Sequence, residues 1–324
     1  MRGITILKFN PILKSVIWGG QNLASLLNRR LPSDAPYGES WEISDLEGNQ
    51  STVISGPFQG DTLASLIHKY PDEMMGEASL LDGRFPLLFK FIDAQQTLSV
   101  QVHPDVAACA ALKGGARPKT EAWYIISCAP DAKLYVGLKE GVTREAFEAA
   151  LGNGTVDALL HRKHVKKGDF VFLPSGTVHA IGEGIVLAEV QQSSDTTYRV
   201  FDWNRMGLDG KPRALHIDEA MASIHFNEWG EPLAQQPLSG RKGVRCDYFS
   251  METVALAGDD QAQFKAAGPL VIMCTAGEGE LHIAAGTHGE RARNGETVFI
   301  PASLSSTVTL TARGNIESVV TLIP

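Results

Sequence analysis

The sequence predicts a mainly β protein made of two successive sandwich or barrel modules with a few helices. Thirty-two glycines and sixteen prolines separate many short runs rich in Val, Ile, Phe and Thr, which is typical of an all-β sandwich or barrel. One strand pattern also occurs twice, since residues 167–174 read KGDFVFLP and residues 294–301 read NGETVFIP. Such a repeat favours two tandem copies of one β module.

Short apolar runs bounded by turn residues predict the strands in order. They are residues 97–102, 123–128, 133–136, 170–173, 185–191, 197–201, 270–274, 280–283, 297–300 and 306–310. Apolar residues at helical spacing predict four helices. These are residues 62–70, with Asp61 as the N-cap, and residues 144–151, 155–161 and 216–225.

A change of composition predicts where the modules meet. Residues 227–243, NEWGEPLAQQPLSGRKG, contain two prolines and three glycines without apolar periodicity, as a linker does. We therefore predict a first domain over residues 1–230 and a second over residues 240–324.

Composition excludes several classes of protein. With 44% hydrophobic and 20% charged residues over 324 positions, the chain is neither intrinsically disordered nor a small disulfide-stabilised scaffold. No apolar run approaches the roughly 20 residues of a spanning helix, and the N-terminus does not resemble a signal peptide. The net charge of −8 disfavours nucleic acid, and four scattered cysteines without a CxxC spacing indicate reduced thiols. We expect a cytoplasmic protein without a nucleic-acid or membrane partner, and the oligomeric state stays open.

Residues 99–104, SVQVHP, carry the strongest local signal for chemistry. Strand alternation places Ser99, Gln101 and His103 on one face and the apolar Leu98, Val100 and Val102 on the other. A polar face within an all-β domain suits a lumen that holds a ligand or metal. The alternative is a solvent-exposed strand face that ends in a histidine.

Two further segments supply candidate metal ligands. Glu121 opens an apolar strand in KTEAWY, and His179 follows a tight turn in PSGTVHAIG. Each residue alone has a purely structural alternative. Glu121 could lie at a solvated strand end, and His179 could be a core histidine with its hydrogen bonds satisfied. Together with His103 and Gln101 they form a nitrogen and oxygen ligand set without thiolate, which suits zinc and other divalent first-row ions.

Buried charges form the last group of candidates. Glu189, Asp195 and Arg199 lie within EVQQSSDTTYRVFDW, residues 189–203, among β-branched and aromatic residues. An arginine there must be paired or bind an anion, because an isolated buried charge is too costly. The structural alternative pairs Arg199 with Asp195 or Asp202. Lys90 lies inside the apolar run LLFKFID, where the alternative is a snorkelling edge lysine.

In combination, the motifs QVHP, KTE, PSGTVHAIG and EVQQSSDTTYRVFDW resemble the type I mannose-6-phosphate isomerases, particularly the short bacterial form. PILKSVIWGG and YGESWEIS near the N-terminus also fit, and the resemblance is dense over residues 7–206 and thin after 230. The long helical insertion of the larger family members is largely absent.

The resemblance implies a cupin fold and one zinc ion per chain. Motif by motif, it places the metal ligands at Gln101, His103, Glu121 and His179. It also implies that Arg199 is catalytic and that the acidic residue after the second histidine is Glu189. The implied substrate-binding residues are Ser99 and Lys119, which are associated with the phosphate, and Lys90.

The implied reaction interconverts mannose 6-phosphate and fructose 6-phosphate through an enediol(ate). Glu189 is the candidate general base, since burial can raise the pKa of a carboxylate toward neutrality; Lys90, Lys119 or a metal-bound hydroxide are alternatives. Two rival functions are a non-catalytic sugar-phosphate sensor and an Fe(II) dioxygenase. The presence of both Arg199 and Glu189 disfavours the sensor, and the Lys, Ser and Arg anion-binding set disfavours the dioxygenase.

The internal repeat makes a prediction of its own for the second module. Aligning the two copies sets His179 opposite Ser306 and Glu121 opposite Gly268, which bind zinc poorly or not at all. His282 and His288 fall at no aligned ligand position. We therefore expect residues 240–324 to form a cupin-like sandwich without a metal.

Overall fold

The first part of the chain folds into two facing antiparallel sheets. The computed structural model describes residues 3–112, 114–207, 210–232 and 234–324. A six-stranded sheet has the order β1-β2-β5-β12-β7-β10, and a five-stranded sheet has the order β13-β6-β11-β8-β9. The strands are β1 (Ile12–Gly20), β2 (Tyr37–Ile43), β3 (Asp45–Leu46), β4 (Asn49–Gln50), β5 (Leu87–Ala94), β6 (Val100–Val102), β7 (Glu121–Cys128), β8 (Lys133–Leu138), β9 (Leu160–His164), β10 (Phe170–Leu173), β11 (His179–Ile181), β12 (Ile185–Gln192) and β13 (Tyr198–Phe201), of which β3 and β4 form a separate pair.

The second part repeats this arrangement. Its sheets have the orders β14-β15-β22-β17-β20 and β16-β21-β18-β19. The strands are β14 (Gly243–Arg245), β15 (Ser250–Leu256), β16 (Gln261–Phe264), β17 (Leu270–Ala276), β18 (Glu280–Ala285), β19 (His288–Arg293), β20 (Thr297–Ile300), β21 (Val308–Arg313) and β22 (Ile316–Leu322).

The predicted repeat is confirmed by strand order. The run β2-β5-β12-β7-β10 corresponds position by position to β14-β15-β22-β17-β20, and β6-β11-β8-β9 corresponds to β16-β21-β18-β19. The mainly β fold with two similar modules is therefore correct.

The alignment between the repeats is wrong by two residues at the Glu121 strand. Phe170 pairs with Tyr124 in the first module, and its counterpart Thr297 pairs with Met273 in the second. Glu121 therefore corresponds to Leu270 rather than to Gly268. A slip of two keeps every side chain on its own face, so the alternation in the sequence could not reveal it. On the equivalent pair of strands, His179 faces Gln101 while Val308 faces Phe264.

Six short α-helices accompany the sheets in the part of the chain that the structure describes. They are α1 (Asn22–Ser25), α2 (Leu63–Lys69), α3 (Pro71–Met75), α4 (Val106–Ala111), α5 (Arg144–Asn153) and α6 (Ile217–Ser223). The N-cap of α2 is Thr62, whose hydroxyl accepts from Ser65 N, and not the predicted Asp61. The predicted helix over residues 155–161 is wrong, because a 3₁₀ turn (Val156–Leu159) leads directly into β9.

Alternating side chains place the six-stranded sheet between two cores. On one face, Phe89, Tyr124 and Ala188 belong to a cluster that includes Val271 and Val319 of the second module. On the other face, a second cluster joins this sheet to the five-stranded sheet. The predicted alternation of β6 holds for Val100 and Val102, which pack under α5 and α6. Leu98 precedes the strand and packs between the two sheets instead.

The N-terminal segment reaches across to the second module. Leu7 forms a bridge with Phe299, and Ile6 packs in the core between the two C-terminal sheets. In the segment predicted as a linker, Trp229 bridges to Leu138 and Gln235 bridges to Arg245. The division at residues 230–240 stays a prediction. Within the described ranges, no helix is long and apolar enough to cross a membrane.

Candidate active site

A cavity of ≈ 580 Å³ opens between the two N-terminal sheets. It brings together most of the predicted site residues with charged and aromatic side chains that the sequence did not single out. The lining residues are Leu13, Lys14, Ser15, Val16, Trp18, Glu39, Trp41, Lys90, Ile92, Leu98, Ser99, Gln101, Lys119, Ile181, Glu189, Asp195, Thr197, Arg199 and Arg213.

One face of the five-stranded sheet carries a row of polar side chains, two of which, Gln101 and Arg199, line the cavity. Gln101 on β6 pairs with His179 on β11 on one side and with Arg199 on β13 on the other. Directly paired residues on neighbouring strands project from the same face. The row therefore runs His179, Gln101, Arg199, and it ends at β13, the edge strand.

The six-stranded sheet presents a second row opposite. Its members, in order across β2, β5, β12 and β7, are Trp41, Lys90, Glu189 and Trp123. The Trp123 indole N–H donates to Glu189 Oε2 at 2.9 Å, and its ring meets His179 edge-on at 5.5 Å between centroids. The fully buried Trp123 therefore contacts both rows.

Three of the four predicted metal ligands converge next to Gln101 and Lys119, two residues of the cavity lining. One ligand atom each from His103, Glu121 and His179 lies within 4.8 Å of the others. The separations are 3.5 Å from His103 Nε2 to Glu121 Oε2 and 3.3 Å from His179 Nε2 to Glu121 Oε1. The Gln101 amide lies 3.3 Å from His179 Nε2, so rotation of its terminal torsion can present Oε1 to the same point.

Backbone carbonyls orient both imidazoles. His103 Nδ1 lies 2.9 Å from Thr196 O, and His179 Nδ1 lies 2.9 Å from Thr177 O. A neutral ring that donates through Nδ1 leaves the Nε2 lone pair directed at the centre, which is how metal-binding histidines are usually held. Burial, followed by the charge of Lys119, keeps the pKa of His103 well below its usual range. Burial lowers the pKa of His179 to about 4, so both rings are neutral at pH 7.

The buried carboxylate of Glu121 is the observation that most favours a bound cation. Its side chain is fully buried, and neither oxygen has a hydrogen bond of acceptable geometry, although Lys119 Nζ lies 2.9 Å from Oε2. Burial raises its pKa to about 7. Buried polar atoms are rarely left without a partner. The donor set, with no thiolate, therefore fits a divalent ion such as zinc.

Lys119 lies at this centre. Its Nζ is 3.2 Å from His103 Nε2 as well as 2.9 Å from Glu121, and the residue is almost fully buried. The ammonium thus occupies the end of the cavity where the candidate ligands meet.

Lys90 and Glu189 form a buried ion pair at 3.1 Å, with Glu39 on the far side of the lysine at 3.5 Å. Lys90 lies on β5, between β2 and β12, so it is not a snorkelling edge residue. Burial alone would lower its pKa, but the charges of Glu189, Glu39 and Glu121 outweigh burial and raise it.

The expected upward shift at Glu189 is wrong. Burial does push the pKa of Glu189 upward, but the charges of Lys90 and Lys119 and the Trp123 N–H outweigh it and lower the pKa. Glu189 is therefore ionised at neutral pH, and Glu121 is the carboxyl whose pKa rises.

Arg199 is not held in either of the predicted carboxylate pairs. Asp202 is instead bound by Arg205 and Arg213. The Arg199 Nε donates to Ser99 Oγ at 3.2 Å and its Nη1 donates to Ala214 O at 2.9 Å. Among the described residues, the guanidinium has no carboxylate within ion-pair distance, which leaves its charge available to an anion in the cavity.

Sequence reasoning missed several residues of the cavity. Trp18 and Trp41 lie in the N-terminal motifs but received no role, and Glu39 precedes Trp41 by two positions on the same face. The alternation in YGESWEI, which places a glutamate and a tryptophan on one face, could have drawn attention to Glu39 and Trp41. Arg213 lies in an irregular segment without periodicity, where only its contacts identify it.

Comparisons with known proteins indicate one family. The family "Phosphomannose isomerase type I, catalytic domain" matches residues 6–123. Mannose-6-phosphate isomerase ManA of Bacillus subtilis is 37% identical over 91% of this chain and 93% of its own. Mannose-6-phosphate isomerase of Streptococcus mutans is 37% identical over 90% of each chain.

A solved structure extends the agreement to the whole fold. The crystal structure of the mannose 6-phosphate isomerase from Bacillus subtilis superposes with a TM-score of 0.86 at 30% identity, over 98% of this chain and 99% of that one. The cupin-like fold implied by the motifs is therefore correct. On the extent of these matches, the chain belongs to the type I phosphomannose isomerase family.

Proposed function

We propose that this enzyme interconverts mannose 6-phosphate and fructose 6-phosphate in the cavity between the two sheets, through an enediol(ate). The observation that supports this most strongly is the convergence of His103, Glu121 and His179 beside Gln101 and Lys119, which line the same cavity as Arg199. An aldose–ketose isomerase needs polarisation of a carbonyl, a base beside the carbon acid and stabilisation of developing negative charge.

The residues that would hold the metal are Gln101, His103, Glu121 and His179, and we propose zinc as the ion. When bound, such an ion supplies Lewis-acid polarisation of a carbonyl oxygen. The two histidines offer neutral Nε2 lone pairs, and Glu121 offers a carboxylate without hydrogen-bond partners.

Glu189 is the proposed general base. Its Oε2 is fixed by Trp123, while Oε1 has no hydrogen bond and lies 3.1 Å from Lys90. The pairing with Lys90 keeps the carboxylate in its proton-accepting form at neutral pH. Lys90, with three carboxylates near it, remains protonated and so contributes charge to the site.

Arg199 is proposed to stabilise the negative charge that develops on the sugar oxygens. It pairs with Gln101 on the neighbouring strand, which places it beside the metal ligands. Ser99 and Ala214 fix its orientation, so the charge is in place before substrate binds.

We also propose that the second module carries no metal and that the protein is cytoplasmic. On β21 and β16, the counterparts of β11 and β6, the apolar residues Val308 and Phe264 face each other, and both lie in the core between the C-terminal sheets. A cytoplasmic location is supported by four cysteines that are all free.

Replacing Trp123 by phenylalanine is expected to move the acid limb of the pH–rate profile. The change removes the N–H that stabilises ionised Glu189, so the pKa of Glu189 rises and more of it is protonated at a given pH. Hydrogen bonds to charged groups contribute about 1.5–3 kcal/mol, or roughly 1–2 pH units. We expect the acid limb of kcat/KM to shift upward by this amount.

Trp41→Phe is the matched control for this measurement. Its indole N–H donates to Glu39 at 2.5 Å, not to Glu189. The acid limb of kcat/KM should therefore shift much less in Trp41→Phe than in Trp123→Phe. An unchanged acid limb in Trp123→Phe would contradict the role given to Glu189.

A coupled assay tests the proposed function. The purified protein is incubated with mannose 6-phosphate, and fructose 6-phosphate is measured with a linked dehydrogenase. We expect turnover with mannose 6-phosphate and none with unphosphorylated mannose. Absence of turnover in metal-supplemented protein would overturn the proposal.

A further inference from the structure

Arg213 is a cavity residue to which neither the sequence motifs nor the resemblance gave a role. Its Nε and Nη2 donate to the two carboxylate oxygens of Asp202 at 2.7 and 2.5 Å. This bidentate pair fixes the plane of the guanidinium. Asp202 takes Nε and Nη2, and Nη1 has no hydrogen-bond partner among the described residues, while Arg213 is one of the residues that line the cavity.

Arg213 lies next to Arg199. The Arg199 Nη1 donates to the carbonyl of Ala214, the residue that follows Arg213. The backbone of the same segment is bound to β13, since His216 N donates to Arg199 O at 2.8 Å. The charge of Arg213 also contributes, after burial, to lowering the pKa of Arg199. Two guanidinium groups thus share one region of the cavity wall.

The segment carrying Arg213 is one step further from the candidate metal ligands than Arg199 is. The row across the five-stranded sheet runs His179, Gln101, Arg199, and the segment carrying Arg213 lies beyond β13 at its edge. In a six-carbon sugar phosphate, the phosphate is at the opposite end from the reacting C1 and C2. A substrate whose C1 and C2 lie at the metal centre and whose carbon chain follows this row would therefore bring its phosphate toward Arg213.

We propose that Arg213, held by Asp202 beside Arg199, binds the phosphate of the sugar phosphate. This inference rests on the proposed function. A phosphate carries about −1.5 to −2 charges at neutral pH and accepts charge-assisted hydrogen bonds from arginine forks. The resemblance associates the phosphate with Ser99 and Lys119, and the Lys119 ammonium lies 2.9 Å from Glu121 at the metal end of the cavity. Replacing Lys119 and replacing Arg213 should therefore affect phosphate binding differently.

The test compares Arg213→Gln with Arg205→Gln. Arg205 binds the same Asp202 oxygen at 2.7 Å but is not part of the cavity lining. We expect Arg213→Gln to raise KM for mannose 6-phosphate by about 10- to 100-fold, the scale of a lost hydrogen bond to a charged group. The kcat value should change far less, and competitive inhibition by inorganic phosphate should weaken in parallel. Arg205→Gln should leave KM and phosphate inhibition unchanged.

Three results would overturn the proposal. They are unchanged KM and phosphate inhibition in Arg213→Gln, an equal effect in Arg205→Gln, or loss of phosphate inhibition in Lys119→Ala with retention in Arg213→Gln. The second would show that Arg213 acts only through Asp202. If the wild type did not turn over mannose 6-phosphate, the proposed function would fail instead. Calorimetric titration with inorganic phosphate would then decide the matter, because binding lost in Arg213→Gln but kept in Arg205→Gln supports the subsite, and equal binding contradicts it.

Discussion

The variants His103→Ala and His179→Ala are expected to retain no metal and to show no measurable turnover. Each change removes one neutral imidazole whose Nε2 faces Glu121 at 3.5 or 3.3 Å. Loss of either ligand also leaves the buried Glu121 carboxylate with fewer groups around it. Elemental analysis of the purified variants and the coupled assay measure the two effects.

The control for these variants is His282→Ala. His282 is a partly exposed histidine of the second module, 2.8 Å from Glu280, and should affect neither metal content nor rate. Metal-stripped wild type is the second comparator, since its thermal unfolding should resemble that of the histidine variants. Stoichiometric metal in a His103→Ala, His179→Ala double variant would show that the ligand set is wrong.

Arg199→Ala should lower kcat by roughly 10²-fold or more while leaving the metal content unchanged. This is the scale for losing one group that stabilises an oxyanion in the transition state. Arginine does not act as a ligand here, so elemental analysis separates loss of chemistry from loss of metal. The deletion also removes the donor to Ser99, whose hydroxyl can turn to another partner.

Arg199→Lys refines the interpretation. The lysine keeps a positive charge but cannot reproduce the forked contacts to Ser99 and Ala214. We expect its rate to fall between those of the wild type and Arg199→Ala. Near-normal turnover in Arg199→Ala would remove Arg199 from the mechanism.

The features that sequence could predict are those that depend on local pattern. The strands carrying Phe170–Leu173 and Thr297–Ile300 were predicted at their observed limits, because Gly–acidic turns precede them and proline follows. The polar alternation around Gln101 likewise predicted a row of side chains facing an interior cavity, which the structure contains. Period-2 patterning decides the buried face before any tertiary contact forms.

Features that depend on distant partners were not predictable in this way. The predicted helix over residues 155–161 runs into the first two residues of the strand Leu160–His164, which is mostly exposed and polar and is defined by its pairing with Lys133–Leu138. The lowered pKa of Glu189 depends on Lys90, which is nearly one hundred positions earlier in the chain. Arg213 is identified only by its pair with Asp202 and by the position of Ala214.

The central claim is that one metal ion, bound in the first module, is required for isomerisation of mannose 6-phosphate. The most direct measurement strips the enzyme with a chelator and adds zinc back in known amounts while the coupled assay is followed. We predict that activity is lost on stripping and returns linearly to a plateau at about one zinc per chain, as a single four-ligand site requires. Full activity in the stripped enzyme, or a plateau that requires a second ion bound beyond residue 240, would contradict the account.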